Sequence, residues 1–288
     1  MRIARISFVV SGLGVATPPG AAWADDPLAL WTAQADAARA SQPFWAGPLV
    51  TPTPLLEQRL RFDALGEEGS DGQRSLVLDD GKGVQIIAGP TTELQFGLPP
   101  YVQRSGRGEA LPVAGFADEP LLRVKERLFT ADAAQGDYVV SVSLGLQMPT
   151  GAAPLTNDAW LLTPTLGFGK GWGAFVVQGS AGLLVPMGAG AGPFGVRGAV
   201  NLATQYHAAR YVWPELEANW QGAAGGSRAG ESLLYLTAGV MLSRFRLSAR
   251  TGVSIGAGYQ AAVSPHPRLG PLTPPYDRAW ILTSRLSF

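Results

Sequence analysis

The 288 residues contain no cysteine, so no disulfide staples the chain and no thiolate is available for catalysis or metal binding. Only two histidines occur, His207 and His266, far apart in sequence, which leaves little material for a zinc site. Charge is also scarce: Asp, Glu, Lys and Arg make up 15% of the chain, against about 25% in a typical soluble domain. The 22 basic residues equal the 22 acidic ones, and no basic excess points to nucleic acid. No stretch approaches the roughly 20 consecutive apolar residues of a membrane helix. If this chain meets a membrane, it does so through strands.

What is present begins at the N-terminus. Arg2 and Arg5 precede a short apolar run, ISFVVSGLGVA, and Ala22-Trp23-Ala24 follows before Asp25. This is the pattern of a secretory signal peptide over 1–24 with cleavage between Ala24 and Asp25. Residues 26–45, DPLALWTAQADAARASQPFW, are Ala-rich and predict a short helix ended by Pro43. The segment 25–54 stands open between a free piece on the near side of a membrane and a plug inside a barrel. The 37 glycines and 23 prolines are spread along the chain, and 55–288 reads as one all-β unit.

The last residues, WILTSRLSF, show the pattern most clearly. Trp280, Leu282, Leu286 and Phe288 share one face, while Ile281, Thr283, Arg285 and Ser287 share the other. That two-residue period is a strand with one apolar and one mostly polar face. Twelve such candidates follow one another: about 55–64, 74–88, 91–104, 119–129, 137–148, 158–168, 173–186, 195–207, 210–220, 231–242, 245–259 and 277–288. Short and long links alternate between them, as in a transmembrane antiparallel up-and-down β-barrel with tight turns at one end and loops at the other. Aromatics near strand ends, among them Tyr101, Tyr138, Trp160, Trp172, Tyr211, Trp213, Trp220, Tyr259 and Trp280, suit two interfacial girdles. The terminal strand is expected to close the barrel against the first one.

With lipid outside, the polar faces point into the barrel. The candidates for its inner wall are Arg59, Arg61, Arg123, Lys125, Arg127, Arg197, Glu215, Glu217, Arg246, Arg250 and Arg285. Two readings of this set stand open: a salt-bridged filling that satisfies a narrow lumen, or a water-filled passage with a mild preference for anions. Glu126 falls on the nominal lipid face, which suits only the rim. The longest outer link, about 99–118, is just long enough to fold inward.

Enzyme readings find little support. His207 has no suitably spaced Ser on its face, and His266 sits between prolines in SPHPRLGP. GFGKGWG lacks the phosphate-loop pattern, and LDDGKG is too short for a calcium loop. No catalytic residue, metal or cofactor is expected.

Several segments carry a resemblance: LVTPTPLLEQRLRFD, ELQFGLPPYV, DEPLLRVKERLF, SLGLQMPTG, TPTLGFGKGWGAFVVQGSAG and PELEANWQG. In order and spacing they resemble the outer-membrane barrel "transporter" family named for the putative MetA pathway of phenol degradation, over roughly 48–288. The resemblance implies a Gram-negative outer-membrane barrel that passes small, often aromatic or hydrophobic compounds, and it carries over no ligand residues. The expected partners are outer-membrane lipid, the barrel-assembly machinery during insertion and a small-molecule solute, with no nucleic acid. A non-conducting scaffolding barrel is the alternative.

Overall fold

The computed structural model describes residues 26–69, 72–80, 82–105, 112–264 and 276–288. The proposed signal peptide, its cleavage site at Ala24 and Asp25, and His266 lie outside the described residues. Helix α1 spans Pro27–Ala40, with Asp26 capping its N-terminus through the Leu28 amide and Pro27 at the first helical position. The strands that follow are β1 (Arg59–Glu68), β2 (Arg74–Leu78), β3 (Gly83–Ile87), β4 (Thr92–Phe96), β5 (Tyr101–Arg104), β6 (Val113–Phe116), β7 (Glu119–Ala131) and β8 (Tyr138–Met148). After them come β9 (Trp160–Trp172), β10 (Phe175–Met187), β11 (Arg197–Tyr206), β12 (Val212–Ala223), β13 (Ser232–Arg246), β14 (Gly252–Ser264) and β15 (Arg278–Ser287).

Every pairing is antiparallel, and the ring runs β1, β3, β4, β7 and then β8 to β15 in order, which makes a closed twelve-stranded barrel. The ends meet where β15 lies against β1, from Arg59 opposite Ser287 to Glu68 opposite Arg278. Closure removes the free edges of the twelve-strand ring, so each of its strands has two neighbours to satisfy its backbone; β6, outside the ring, pairs with β5.

Three of the twelve walls are each broken into two strands. β2 and β3 are separated at Asp79 and Asp80, both at positive φ, and Gly83 also has a positive φ. β4 and β5 are separated by Gly97-Leu98-Pro99-Pro100, where two prolines cannot donate to a ladder. β6 and β7 part at Ala117 and Asp118, and Asp118 turns its carboxylate onto the amides of Gly151 and Asn157. Among the described residues, 99–118 contributes the wall strands β5 and β6 in place of an infolded loop, and 106–111 lie outside the described residues. Instead, Leu155 of the link 149–159 packs on the inward residues Leu65, Val77, Val102 and Ile281.

A second correction concerns the tenth and eleventh walls. Ser243-Arg244 reads as a tight turn in sequence, but β13 continues to Arg246 and the turn is 247–251. Arg244 takes a positive φ within β13, and the register shifts between Leu242 and Phe245. A bulge imitates a turn in sequence because both place an irregular residue between two alternating runs. The true turn is held by Ser248, whose Oγ accepts from the amides of Arg250 and Thr251.

The outer surface is apolar at mid-height, with Phe62, Val142, Leu166, Val200, Leu216 and Leu282 all exposed. Toward the end with short turns, exposed aromatics include Phe129, Tyr138, Trp172, Phe175 and Tyr206; toward the loop end they include Tyr101, Phe116, Trp160, Trp220, Tyr259 and Trp280. An apolar band between two aromatic rings is the outer surface of a membrane-spanning barrel. Trp213 departs from the expected girdle, because it points inward and is only 6% exposed. Glu126 sits at the turn-end rim, where its carboxylate accepts from the Thr92 hydroxyl at 2.7 Å.

Candidate functional site: the lumen and the segment that fills it

Between α1 and β1, residues 41–58 run without regular structure, and Trp45, Ala46, Leu49, Leu55 and Leu56 are among the most buried side chains in the protein. An extended segment inside a barrel has no ladder partner, so its amides and carbonyls need bonds from elsewhere. Sequence reduces the demand: Pro43, Pro48, Pro52 and Pro54 bring no N–H. Gln42 and Thr53 of the segment bond the backbone of Leu56 and Leu55, and the inner wall supplies most of the other bonds.

Cations take the carbonyls. The Arg285 guanidinium donates to Gly47 O at 2.5 Å and Pro48 O at 2.6 Å, and that of Arg61 to Leu49 O. Arg244 donates to Trp45 O at 2.7 Å, and Lys125 Nζ to Leu55 O at 2.9 Å. Carboxylates take the amides. Glu215 accepts from Leu49 N at 3.0 Å, while Glu217 accepts from Val50 N at 2.9 Å and Thr51 N at 2.6 Å. Glu93 accepts from Glu57 N at 2.6 Å and is ion-paired with Lys125 at 3.0 Å. Gln178 completes the grip, donating to Ala46 O and accepting from the Thr53 hydroxyl. Charge-assisted bonds of this kind are about twice as strong as neutral ones. The wall therefore holds the segment as a sheet would hold a strand, but with side chains.

Two wall glycines admit the segment's apolar anchor. Leu49 is fully buried, and a Cβ placed on Gly258 would lie 2.7 Å from its Cδ1, while one on Gly239 would overlap the same atom. A larger residue in a wall strand would fill this seat. Gly258→Leu is accordingly expected to unseat Leu49, read as faster proteolysis within 42–57 and more frequent openings in a bilayer. Unchanged proteolysis and closure would show that the seat does not hold the segment.

The sequence-predicted wall residues divide into three groups. Arg59, Arg61, Lys125, Glu215, Glu217 and Arg285 are inward and surround the segment; Arg59 is ion-paired with Glu57 at 3.1 Å and donates to Gln85. Burial pushes the Glu57 carboxyl up, but Arg59, Arg244 and Lys125 nearby outweigh this and leave it below its ordinary range. Arg123 is also inward and borders a cavity of about 60 Å³, residual space beside the segment. Arg127 and Arg197 lie toward the ends. Arg127 holds the last turn of α1 through Ala38 O at 2.8 Å and the Ser41 hydroxyl at 3.0 Å, and Arg197 lies over the Phe194 ring near the loop end.

Arg246 and Arg250 correct the expectation. Both are exposed: Arg246 is the last residue of β13, and Arg250 lies in the following turn, ion-paired with Asp36 of α1 at 2.6 Å. They border the turn-end mouth and not the inner wall, because the strand runs further than its sequence pattern suggests. On the closing strand, Trp280, Leu282 and Leu286 face outward, and the Phe288 amide donates to Gln58 O.

The mouth at the turn end is half covered. Helix α1 lies across one side, tied to Ile87 O by Trp31 Nε1 and to the 247–251 turn by the Asp36–Arg250 pair. On the other side opens a cavity of about 550 Å³, bordered by Phe44, Tyr211, Trp213 and several arginines. At the loop end Tyr276 reaches inward; its hydroxyl donates to Gln260 Oε1 and its carbonyl accepts from Tyr235. Sequence reasoning placed Gln205 on the inward face but missed Arg244, Gln178 and the two seat glycines as members of this site. Gln178 did carry a signal, as a polar residue on the inward face of an otherwise apolar strand.

No protein-family model and no curated relative matches the sequence. Among solved structures, the COG4313 outer membrane channel from Pseudomonas putida F1 superposes with a TM-score of 0.53 at 13% identity, covering 85% of this chain and all of the other. OmpT, an outer membrane protein of Vibrio cholerae, gives a TM-score of 0.36 at 11% identity over 80% of this chain and 96% of that one. The outer membrane phospholipase A from Escherichia coli gives 0.35 at 11% identity over 83% and 95%. The first likeness extends over the whole of its counterpart, and what it establishes is the architecture: a twelve-stranded barrel of the outer-membrane type.

Proposed function

We propose that this protein is an outer-membrane channel whose lumen is closed by its own N-terminal segment, and that it passes small molecules passively when the segment leaves. The observation that carries this reading is how 42–57 is held. Its backbone is gripped by polar and charged groups of the wall, while its apolar side chains Trp45, Ala46, Leu49 and Leu55 pack on Val139, Val176, Trp213 and Met241 of the wall, Leu49 against glycines. Water can replace the polar bonds when the segment withdraws, which lowers the cost of leaving to that of uncovering one apolar cluster. The exposed wall would then carry Arg59, Arg61, Arg123, Lys125, Arg244 and Arg285 against Asp63, Glu93, Glu215 and Glu217, and the expected selectivity is for anions. The apolar outer band supports a place in outer-membrane lipid, reached by signal-peptide export and the barrel-assembly machinery. Membership of the phenol-degradation transporter family, with small aromatic or hydrophobic solutes, belongs to the same proposal, and so does the absence of enzyme activity; the His207 ring stacks on Trp213 at 4.1 Å.

The same filled lumen favours one second reading, a non-conducting barrel with a structural role. Planar-bilayer recordings of the mature chain and of a variant lacking 26–57 separate the two. Rare openings in the first and steady, anion-selective conductance in the second are expected. Silence in both would overturn the channel reading in favour of the scaffold.

A further inference from the structure

We propose that the cavity at the turn-end mouth is a binding site for a small organic anion carrying an aromatic ring. This rests on the channel reading and narrows its small aromatic or hydrophobic solutes to anionic ones held at a specific site. The cavity, about 550 Å³, has the size of a small-molecule site. Seven arginines border it and one carboxylate, Glu57. Arg59 is ion-paired with Glu57 and Arg250 with Asp36. Arg210, Arg244, Arg246 and Arg285 have no carboxylate within ion-pair distance among the described residues. Their partners are backbone carbonyls and rings: Arg246 donates to Ala249 O, and the Arg210 guanidinium lies 5.0 Å from the Tyr211 ring, while Arg39 donates to the terminal Phe288 O.

So many guanidiniums around one wet space repel one another, and an anion entering it relieves several at once. The planar fork of arginine fits a carboxylate with two parallel bonds. The rings define the rest of the ligand. Phe44 is 73% exposed, an uncommon position for an apolar ring beside water. One face of it lies 3.2 Å from the Arg244 guanidinium. Tyr211 packs on Phe245 at 4.9 Å, and Trp213 carries the His207 ring. A ligand with a charged end and a flat apolar body satisfies both features, whereas an inorganic anion leaves the rings bare and a neutral arene leaves the guanidiniums unpaired.

The cavity also borders the plug. Phe44 and Trp45 belong to the segment that fills the lumen, and Arg244 donates to Trp45 O. A ligand here competes for Arg244 and lies where the segment would begin to withdraw.

Isothermal titration of the detergent-solubilised mature chain with benzoate, benzyl alcohol, acetate and inorganic phosphate tests the assignment. Benzoate is expected to bind at least tenfold more tightly than the other three. Arg210→Gln combined with Arg246→Gln, both exposed and outside the segment's tethers, is expected to weaken benzoate at least fivefold, with barrel melting unchanged. Equal binding of acetate or phosphate would reduce the site to a general anion surface, equal binding of benzyl alcohol would make it an apolar one, and no binding would remove it; each outcome overturns the proposal. Binding is read without conductance. A conducting protein that ignores benzoate sinks this inference alone, and a benzoate-binding protein that stays silent with and without 26–57 sinks the channel reading alone.

Discussion

Leu216→Arg is expected to lower the stability of the barrel by about 2–4 kcal/mol in lipid, the range for a cation on the lipid face near the bilayer midplane. Leu216 lies at the middle of β12, between Thr204 of β11 and Ala238 of β13, and is 64% exposed. In water such exposure makes a leucine nearly indifferent to substitution, because little burial is lost. In hydrocarbon the same position strands a guanidinium with no partner within reach. Leu247 provides the control. It is 65% exposed but lies in the turn after β13, where the same change should cost no more than about 1 kcal/mol. Urea titration of both variants in lipid vesicles measures the difference. Equal tolerance at the two positions would mean that the apolar band does not face lipid, and the membrane reading would fall with it.

Much of this architecture was legible because its cause is local. A strand with one wet and one lipid face must alternate, and WILTSRLSF shows that alternation without reference to any other residue. The link lengths added the hairpin order, and together they placed twelve walls. What escaped was whatever depends on distant partners. Arg244 at positive φ reads as a turn until β14 is seen pairing beyond it. Gly97-Leu98-Pro99-Pro100 breaks a wall but leaves the alternation on either side intact, so 91–104 still reads as one strand. The segment 41–58 has no period of its own, and its course through the lumen is set by Glu215, Glu217 and Arg285, more than 150 residues further on. Its prolines were the one local clue, since a chain that must avoid unpaired amides benefits from having fewer of them. The wall charges were found, but not their purpose: many of them bond the backbone of the segment as well as, or in place of, one another.

That purpose makes Glu217→Ala the most informative single change inside the barrel. The carboxylate accepts two amides at once, Val50 N at 2.9 Å and Thr51 N at 2.6 Å, and no other side chain accepts from either of them. Each bond to a charged acceptor contributes about 1.5–3 kcal/mol, and a buried amide left unmatched costs about as much. Two effects reduce the loss. Glu215 projects from the same strand face, so removing Glu217 relieves a repulsion between like charges, and water can enter the space the carboxylate vacates. A net cost of about 2–3 kcal/mol to the seated segment remains, which multiplies the fraction withdrawn by roughly 30 to 150. Single-channel open probability is expected to rise by that order, with faster proteolysis between Gln42 and Glu57. Glu217→Gln retains an acceptor oxygen and should fall between the alanine variant and the parent. Barrel melting should not move, because strand pairing on both sides of β12 is untouched, and this separates a loosened plug from a damaged wall. An alanine variant that opens no more often than the parent would show that the bonds to 42–57 are packing and not a gate, and the scaffold reading would then account for the filled lumen.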